Sequence, residues 1–131
     1  FVEIHGRETA FAMTLSQIFI DYYTCIETLF LRIAQTFENN LQPNKWHKSL
    51  LRKMNLEIKG VRAAVISDEL FHLLDELLRF RHFRRYYFDF DYDWDRIELI
   101  QNKYLSSIPL IKTDLERFKG FLSDALAARK G

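Results

Sequence analysis

Residues 15–33, LSQIFIDYYTCIETLFLRI, decide the fold class. Their apolar side chains recur at alternating spacings of 4 and 3, which places them on one stripe of a helix. The stripe consists of Leu15, Phe19, Tyr22, Ile26, Leu29 and Ile33. This pattern predicts a long bundle helix over about residues 8–39. Polar turn formers and Pro43 follow, and they are expected to end it.

Two shorter helices are predicted next. The first covers about residues 46–56, with apolar positions at Leu50, Leu51 and Met54, and Gly60 then breaks the chain. Ser67 precedes two acidic residues, which is typical of a helix start, because its side-chain oxygen can cap free amides and the acids complement the helix dipole. The helix that follows is expected to reach about residue 88.

The last predicted helix begins near residue 93. It keeps one apolar stripe, which consists of Ile97, Ile100, Tyr104, Ile108, Ile111, Leu115, Phe118 and Leu122. Pro109 lies inside this stripe and removes one backbone hydrogen bond. Because the stripe stays in phase across the proline, we expect one kinked helix rather than two independent ones.

Composition supports the same fold class. Of the 131 residues, 48% are hydrophobic and 15% aromatic, whereas the chain has only 4 Gly and 2 Pro, which favours long regular elements joined by few turns. We therefore expect a single all-α domain over residues 1–131, an up-and-down helical bundle of four to five helices. The formal charge of +1 excludes a strongly basic nucleic-acid domain, so any RNA contact must come from local clustering of charge.

Cys25 is the single cysteine, so no internal disulfide can form, and a reducing cytoplasm is indicated. On a predicted apolar helix we interpret it as a small core residue rather than a nucleophile. The sequence shows no signal peptide, no apolar run of membrane-spanning length and no lipidation motif. A cytoplasmic protein without membrane contact is therefore expected.

The segment that carries most functional information is LRFRHFRRYYF, residues 78–88. Phe71, Leu74 and Leu78 form an apolar stripe on the third helix, and continuing this stripe reaches Arg81, His82, Arg85 and Tyr86. Burying such a polar cluster alone is costly, so this end is expected to face a cleft, a partner subunit or a ligand. The alternative is that the arginines interact with the helix dipole and solvate the surface.

With its surroundings, this segment resembles the HepT-like branch of the HEPN ribonuclease-toxin superfamily in the order and spacing of several motifs. The matching pieces are Trp46–His47, Leu50–Leu51, Met54, Val65–Ser67, Phe80–Phe83, Arg85 and Asp93–Trp94. The resemblance implies a HEPN helical bundle that forms a homodimer with its sites at the subunit interface. It also implies a metal-independent ribonuclease toxin, with RNA as substrate, and a nucleotidyltransferase antitoxin of the MntA type as partner.

The family motif is an arginine, usually followed by a polar residue, then a histidine five positions after the arginine and a tyrosine two further on. Arg81 and His82 match its first two positions, but Tyr86 stands at the histidine position and Phe88 at the tyrosine position. The motif tyrosine is the residue that the antitoxin modifies with AMP in the family. Tyr86 and Tyr87 are alternative acceptors, unless they simply pack or form hydrogen bonds.

Two functions follow from this departure. In the first, Arg81 and Arg85 bind phosphate and His82 takes part in proton transfer, because arginine suits phosphate and histidine titrates near neutrality. In the second, the chain is a degenerate HEPN module that binds the antitoxin or RNA without cleavage, since tyrosine ionises only near pH ~10. Asp75 is a candidate for orienting Arg79 or His82 from one turn away.

No cofactor or metal site is expected. Acidic residues alternate with aromatic ones over residues 89–95, but a calcium loop would need a glycine at the turn and a glutamate at its last position, and both are missing. An extended connector is the preferred interpretation of this segment. His72, Asp75 and Glu76 share one helix face, which we interpret as a solvated surface rather than a metal site.

Overall fold

The computed structural model describes residues 2–37, 46–86 and 94–130. These residues form four helices, α1 Val2–Phe37, α2 Trp46–Met54, α3 Asp68–Tyr86 and α4 Trp94–Lys130, and no strand. The predicted all-α fold is confirmed, and the four predicted helices are all present. The segment over residues 89–95, interpreted as an extended connector, lies outside the described residues except for its last two, which begin α4.

Aromatic contacts give the directions of the long helices. α1 meets α4 through successive ring pairs along both helices, Phe11 with Trp94, Tyr22 with Tyr104 and Phe37 with Phe118, so the two run parallel. α3 runs antiparallel to both, because its later residues contact earlier residues of α1 and its start contacts the second half of α4. The hydrophobic core therefore lies between α1, α3 and α4, with α2 packed against α1 and α3.

The buried stripe of α1 differs from the predicted one. Phe19 and Ile26 are buried as expected, but Tyr23 and Phe30 take the central positions, whereas Leu29 is 38% exposed. Apolar residues stand side by side at 22–23 and 29–30, so spacing alone allows two neighbouring stripes. Contacts with α3 and α4 on two sides of α1 select the stripe that contains Tyr23.

Cys25 is exposed, so its interpretation as a core residue is wrong. Its neighbour Ile26 lies on the buried stripe, and consecutive residues of a helix point about 100° apart. The side chain of Cys25 is thereby turned away from the core.

The connection from α2 to α3 is built around a buried arginine. Gly60 has a φ of 77°, a left-handed conformation that suits glycine, and it allows the tight turn between the bridged residues Ile58 and Arg62. The guanidinium of Arg62 donates hydrogen bonds to the carbonyls of Lys53 and Leu56 at 3.0 and 2.8 Å. Lys53 lies in the last turn of α2 and Leu56 lies just beyond it, so Arg62 joins the end of this helix to the connection that follows.

α4 continues through Pro109 as one helix, as predicted. Ile97, Ile100 and Phe118 are buried, but Ile108 is 41% exposed, so its place in the predicted core stripe is wrong. The neighbouring Ser107 occupies the core position instead, where its hydroxyl forms a 2.8 Å hydrogen bond with the hydroxyl of Tyr22. A hydroxyl at this position is tolerated because α1 supplies its partner.

Candidate functional site

Arg81 in α3 is held by three residues of α1. Its Nη1 and Nη2 donate to the two carboxylate oxygens of Glu27 at 3.1 and 2.9 Å, and Nη1 also donates to the hydroxyl of Thr24 at 3.3 Å. The Arg81 and Glu27 side chains are 21% and 12% exposed. A bidentate pair shielded to this degree fixes the plane of the guanidinium more tightly than a surface ion pair would.

The ring of Tyr23 completes this arrangement. The guanidinium carbon of Arg81 lies 4.9 Å from the ring centroid, within the range of a cation–π contact. Burial raises the pKa of the Tyr23 hydroxyl above its usual value; the carboxylate of Glu27 adds to this rise, and Arg81 opposes it. Tyr23 is therefore a neutral phenol at physiological pH and provides a flat surface for the guanidinium, not a base.

Arg81 keeps unused hydrogen-bonding capacity. A guanidinium has five N–H donors, and two of them bind Glu27 while one binds Thr24. No described residue accepts a hydrogen bond from Nε–H, and the Arg81 side chain is 21% exposed. The edge of the guanidinium formed by Nε and Nη2 can therefore accept an anion without breaking the pair with Glu27.

A second arginine joins the same two helices closer to the C-terminus of α3. Nη1 of Arg84 donates to Oε1 of Gln17 at 2.8 Å, and Nε2 of Gln17 donates to Asp21 at the same distance. Gln17 and Asp21 are both exposed, so this chain of contacts lies at the surface. Arg81 and Arg84 thus line the seam between α1 and α3.

The other predicted site residues take different positions. His82 is exposed, next to Arg81 along the helix. The predicted pairing of Asp75 with Arg79 is present at 3.0 Å, and Arg79 is 73% exposed. Arg85 and Tyr86 are the last two residues of α3, whereas Tyr87 lies outside the described residues.

Spacing predicted a need for a partner opposite Arg81 but did not identify it. The structure supplies this partner from within the chain, because the polar continuation of the stripe turns towards α1. Glu27, Thr24 and Tyr23 are the site residues that the sequence interpretation missed. A signal was present, since Glu27 is the only acid between Asp21 and Glu38.

A second polar cluster lies at the other end of α3. Ser67 caps the helix by accepting a 3.3 Å hydrogen bond from the amide of Leu70, as predicted. The amide and hydroxyl of Ser67 both donate to Oδ2 of Asp114 at 2.8 Å, and Arg117 donates to Oδ1 at 3.3 Å. Asp114 is only 3% exposed. Its carboxylate is occupied by these donors, so this cluster joins α3 to α4.

Among the residues that the structure describes, no group of three or more His, Cys, Asp or Glu is placed to hold a metal ion, and His72, Asp75 and Glu76 form no such group. No helix in residues 2–37, 46–86 and 94–130 combines the length and apolar character needed to span a bilayer.

The chain matches a known protein family. A protein-family model described as HepT-like protein matches residues 14–122, a range that contains Glu27, Arg81 and Asp114. No curated protein and no solved structure matches the chain.

Proposed function

Because the chain belongs to the HepT-like family of the HEPN superfamily, we propose that it is the toxin of a toxin–antitoxin pair, a metal-independent endoribonuclease that acts on RNA, with tRNA the first substrate to test. The observation that carries the proposal is the state of Arg81. Its guanidinium is fixed by Glu27 and Thr24 but keeps N–H donors that no described residue uses, and the exposed His82 is the next residue along the chain. A fixed cation with free donors is suited to a phosphate.

In the proposed reaction, Arg81 and Arg85 bind the scissile phosphate and stabilise the charge that develops on its oxygens. His82 transfers the proton between the 2′-hydroxyl and the leaving 5′-oxygen, because histidine changes its charge near neutrality. Asp75 supports α3 at this point through its ion pair with Arg79. Tyr86, at the position of the family histidine, is too weak an acid for this role at neutral pH.

The proposal includes a homodimer. Arg81 turns towards α1 whereas His82 is exposed, so residues of two protomers together can surround one phosphate more easily than those of one. Phe11 of α1 stacks on Trp94 of α4, and both helices carry exposed apolar side chains. This set, which a second copy would cover, consists of Phe11, Ile18, Leu29, Trp94, Leu105 and Ile108.

The proposed antitoxin is a nucleotidyltransferase of the MntA type, as the family suggests. Phe88 stands where the family has its AMP-accepting tyrosine. Tyr86 and Tyr87 are the proposed alternative acceptors, because they are the nearest hydroxyl groups along the chain.

The alternative function is a HEPN module that binds its antitoxin or RNA without cleaving RNA. One observation favours it: Glu27 neutralises the charge of Arg81 at 2.9 Å, which weakens the attraction of Arg81 for a phosphate. This alternative predicts RNA binding without products.

The test is incubation of the purified, partner-free protein with tRNA or total RNA in EDTA. Arg81→Ala and His82→Ala are each expected to lower the cleavage rate by about 10² or more, a typical loss for a removed acid–base or charge-stabilising group. Arg32→Ala is the matched control, because it removes the same charge from an exposed position of α1. It is expected to change the rate less than about threefold.

Two results would overturn the ribonuclease proposal. Absence of cleavage above a mock preparation, with RNA still retained in a binding assay, would establish the alternative. Cleavage that survives both Arg81→Ala and His82→Ala would place the activity elsewhere. Circular dichroism of each variant separates loss of the site from loss of the fold.

A further inference from the structure

The contact between α1 and α3 is apolar at Phe80, where its ring meets Phe19 edge-on with centroids 6.2 Å apart, and both residues are buried. At the next residue, Arg81, the same contact contains an ion pair, a hydroxyl and an aromatic face around one guanidinium. Three residues of α1 thus contact the single side chain of Arg81, and this concentration of contacts requires an explanation.

Stability is an insufficient explanation. Taking two charges out of water has a cost that their mutual attraction often only balances, so a largely shielded ion pair is weak evidence for a stabilising role. Apolar residues of similar size would join α1 to α3 equally well at this position, as Phe19 and Phe80 already do. What apolar residues cannot provide is a guanidinium held in one orientation.

We infer that Glu27 is the positioning residue of Arg81, and that Thr24 and Tyr23 are further contacts that hold its guanidinium. The guanidinium thereby presents its Nε and Nη2 edge to an RNA phosphate in a fixed orientation. This inference rests on the proposed function and assigns to Glu27 a role that acts through Arg81. Glu27 binds Nη1 and Nη2 at 3.1 and 2.9 Å, and within the part of the chain that the structure describes no acceptor binds Nε–H or the second N–H of Nη2.

Loss of Glu27 is expected to affect RNA binding and RNA turnover differently. Glu27 carries a negative charge, so its removal makes the site more attractive to RNA and cannot by itself raise KM. The rate of the chemical step depends on how well the cation matches the charge of the transition state, and small misplacements of such a group reduce it strongly. Loss of Glu27 should therefore lower kcat while KM stays equal or falls.

The experiment compares Glu27→Gln with Asp21→Asn in RNA cleavage assays under saturating and limiting substrate. Both changes remove one carboxylate charge from α1 and keep the shape of the side chain, but Asp21 contacts Gln17 and not Arg81. We expect kcat of Glu27→Gln to fall by about tenfold or more without a rise in KM. We expect kcat of Asp21→Asn to stay within about twofold of the unchanged protein.

A second measurement reports directly on the mobility of the Arg81 side chain, without RNA. The ¹⁵N relaxation of the Arg81 Nε–H group should show a restrained side chain in the unchanged protein and in Asp21→Asn, and a mobile one in Glu27→Gln. Thermal unfolding of the three proteins shows whether any change in kcat merely follows the folded fraction.

The outcomes distinguish this inference from the proposed function. Equal kcat in Glu27→Gln and the unchanged protein, an equal loss in Asp21→Asn, or a loss explained by unfolding would each overturn the inference while leaving the ribonuclease intact. If the unchanged protein does not cleave RNA, the proposed function fails and the relaxation measurement decides about Glu27. A mobile Arg81 in the unchanged protein would then overturn its role as a positioning residue.

Discussion

The two ends of α3 are both polar, but they use their charges in different ways. At the start of the helix, Asp114 of α4 is almost completely buried, and the amide and hydroxyl of Ser67 and the guanidinium of Arg117 occupy its carboxylate. Near the other end, Arg81 is partly open to solvent and keeps donors that no described residue uses. The first cluster is saturated, and the second is not.

This difference separates a structural site from a candidate functional one. A buried carboxylate that accepts a hydrogen bond from a backbone amide cannot be replaced by an apolar side chain, because the amide would then have no acceptor. A partly exposed pair of side chains leaves no backbone group unsatisfied when both partners are replaced. The two ends should therefore respond differently to substitution.

The largest effect is expected at the saturated end. Asp114→Ala removes the acceptor of the Ser67 amide and hydroxyl and the partner of Arg117, so we expect the free energy of unfolding to fall by about 3 kcal/mol. Urea unfolding measures it. Asp124→Ala, an exposed position on the same helix, is the control and should change stability by less than about 0.5 kcal/mol.

Such a loss would confirm that the start of α3 depends on Asp114. A loss below about 1 kcal/mol for Asp114→Ala would mean that water replaces the carboxylate, and the contrast between the two ends would disappear.

The second prediction concerns replacement of both partners at the open end. Glu27→Leu alone or Arg81→Met alone leaves one shielded charge without its partner, and we expect each to lower the free energy of unfolding by about 1–2 kcal/mol. The double variant removes both charges together and is expected to lie within about 1 kcal/mol of the unchanged protein. The measurement is a double-mutant cycle by urea unfolding.

The same cycle tests whether this pair serves stability. If the double variant lost as much as the two single variants combined, the pair would be a structural element like the Asp114 cluster. If the double variant folds normally but binds RNA poorly, the charges at the open end function in RNA binding.

Local signals in the sequence predicted the structural end better than the functional one. The cap at Ser67 is visible in three consecutive residues, and the continuity of α4 across Pro109 follows from an apolar period that does not change phase. Both depend on interactions within one helix. Helix number, helix type and family could therefore be inferred without coordinates.

The partners across helices could not be inferred in this way. Glu27 meets Arg81 across 54 residues, and Asp114 meets Ser67 across 47. Each contact depends on how far one helix is rotated about its axis, and α1 illustrates the problem, because Tyr22 and Tyr23 offer the core two adjacent stripes. A rotation by one residue decides whether Tyr23 lies under Arg81, and only the packing of three helices fixes it.

The smallest expected effect concerns Tyr23, which lies against Arg81 at the open end. Burial raises the pKa of its hydroxyl above the usual value of 10.0, with a further rise from Glu27 that Arg81 opposes. The folded protein holds this proton more tightly than the unfolded chain does. The contribution of Tyr23 to the free energy of unfolding is therefore fully present below about pH 10 and is lost as pH rises above it. At pH 11 the loss from this residue amounts to about 1.4 kcal/mol.

Comparison with Tyr23→Phe isolates this contribution, since lysines and the other tyrosines titrate in both proteins and cancel in the difference. Phenylalanine keeps the ring beneath Arg81, so the contact with the guanidinium survives. Urea unfolding at pH 8 and pH 11 should show the stability of Tyr23→Phe rising relative to the unchanged protein by about 1.4 kcal/mol. A difference independent of pH would mean that the hydroxyl ionises as readily in the folded protein as in the unfolded chain. In that case Arg81 would lie over a ring whose hydroxyl is fully hydrated, and the shielding attributed to this end of α3 would be absent.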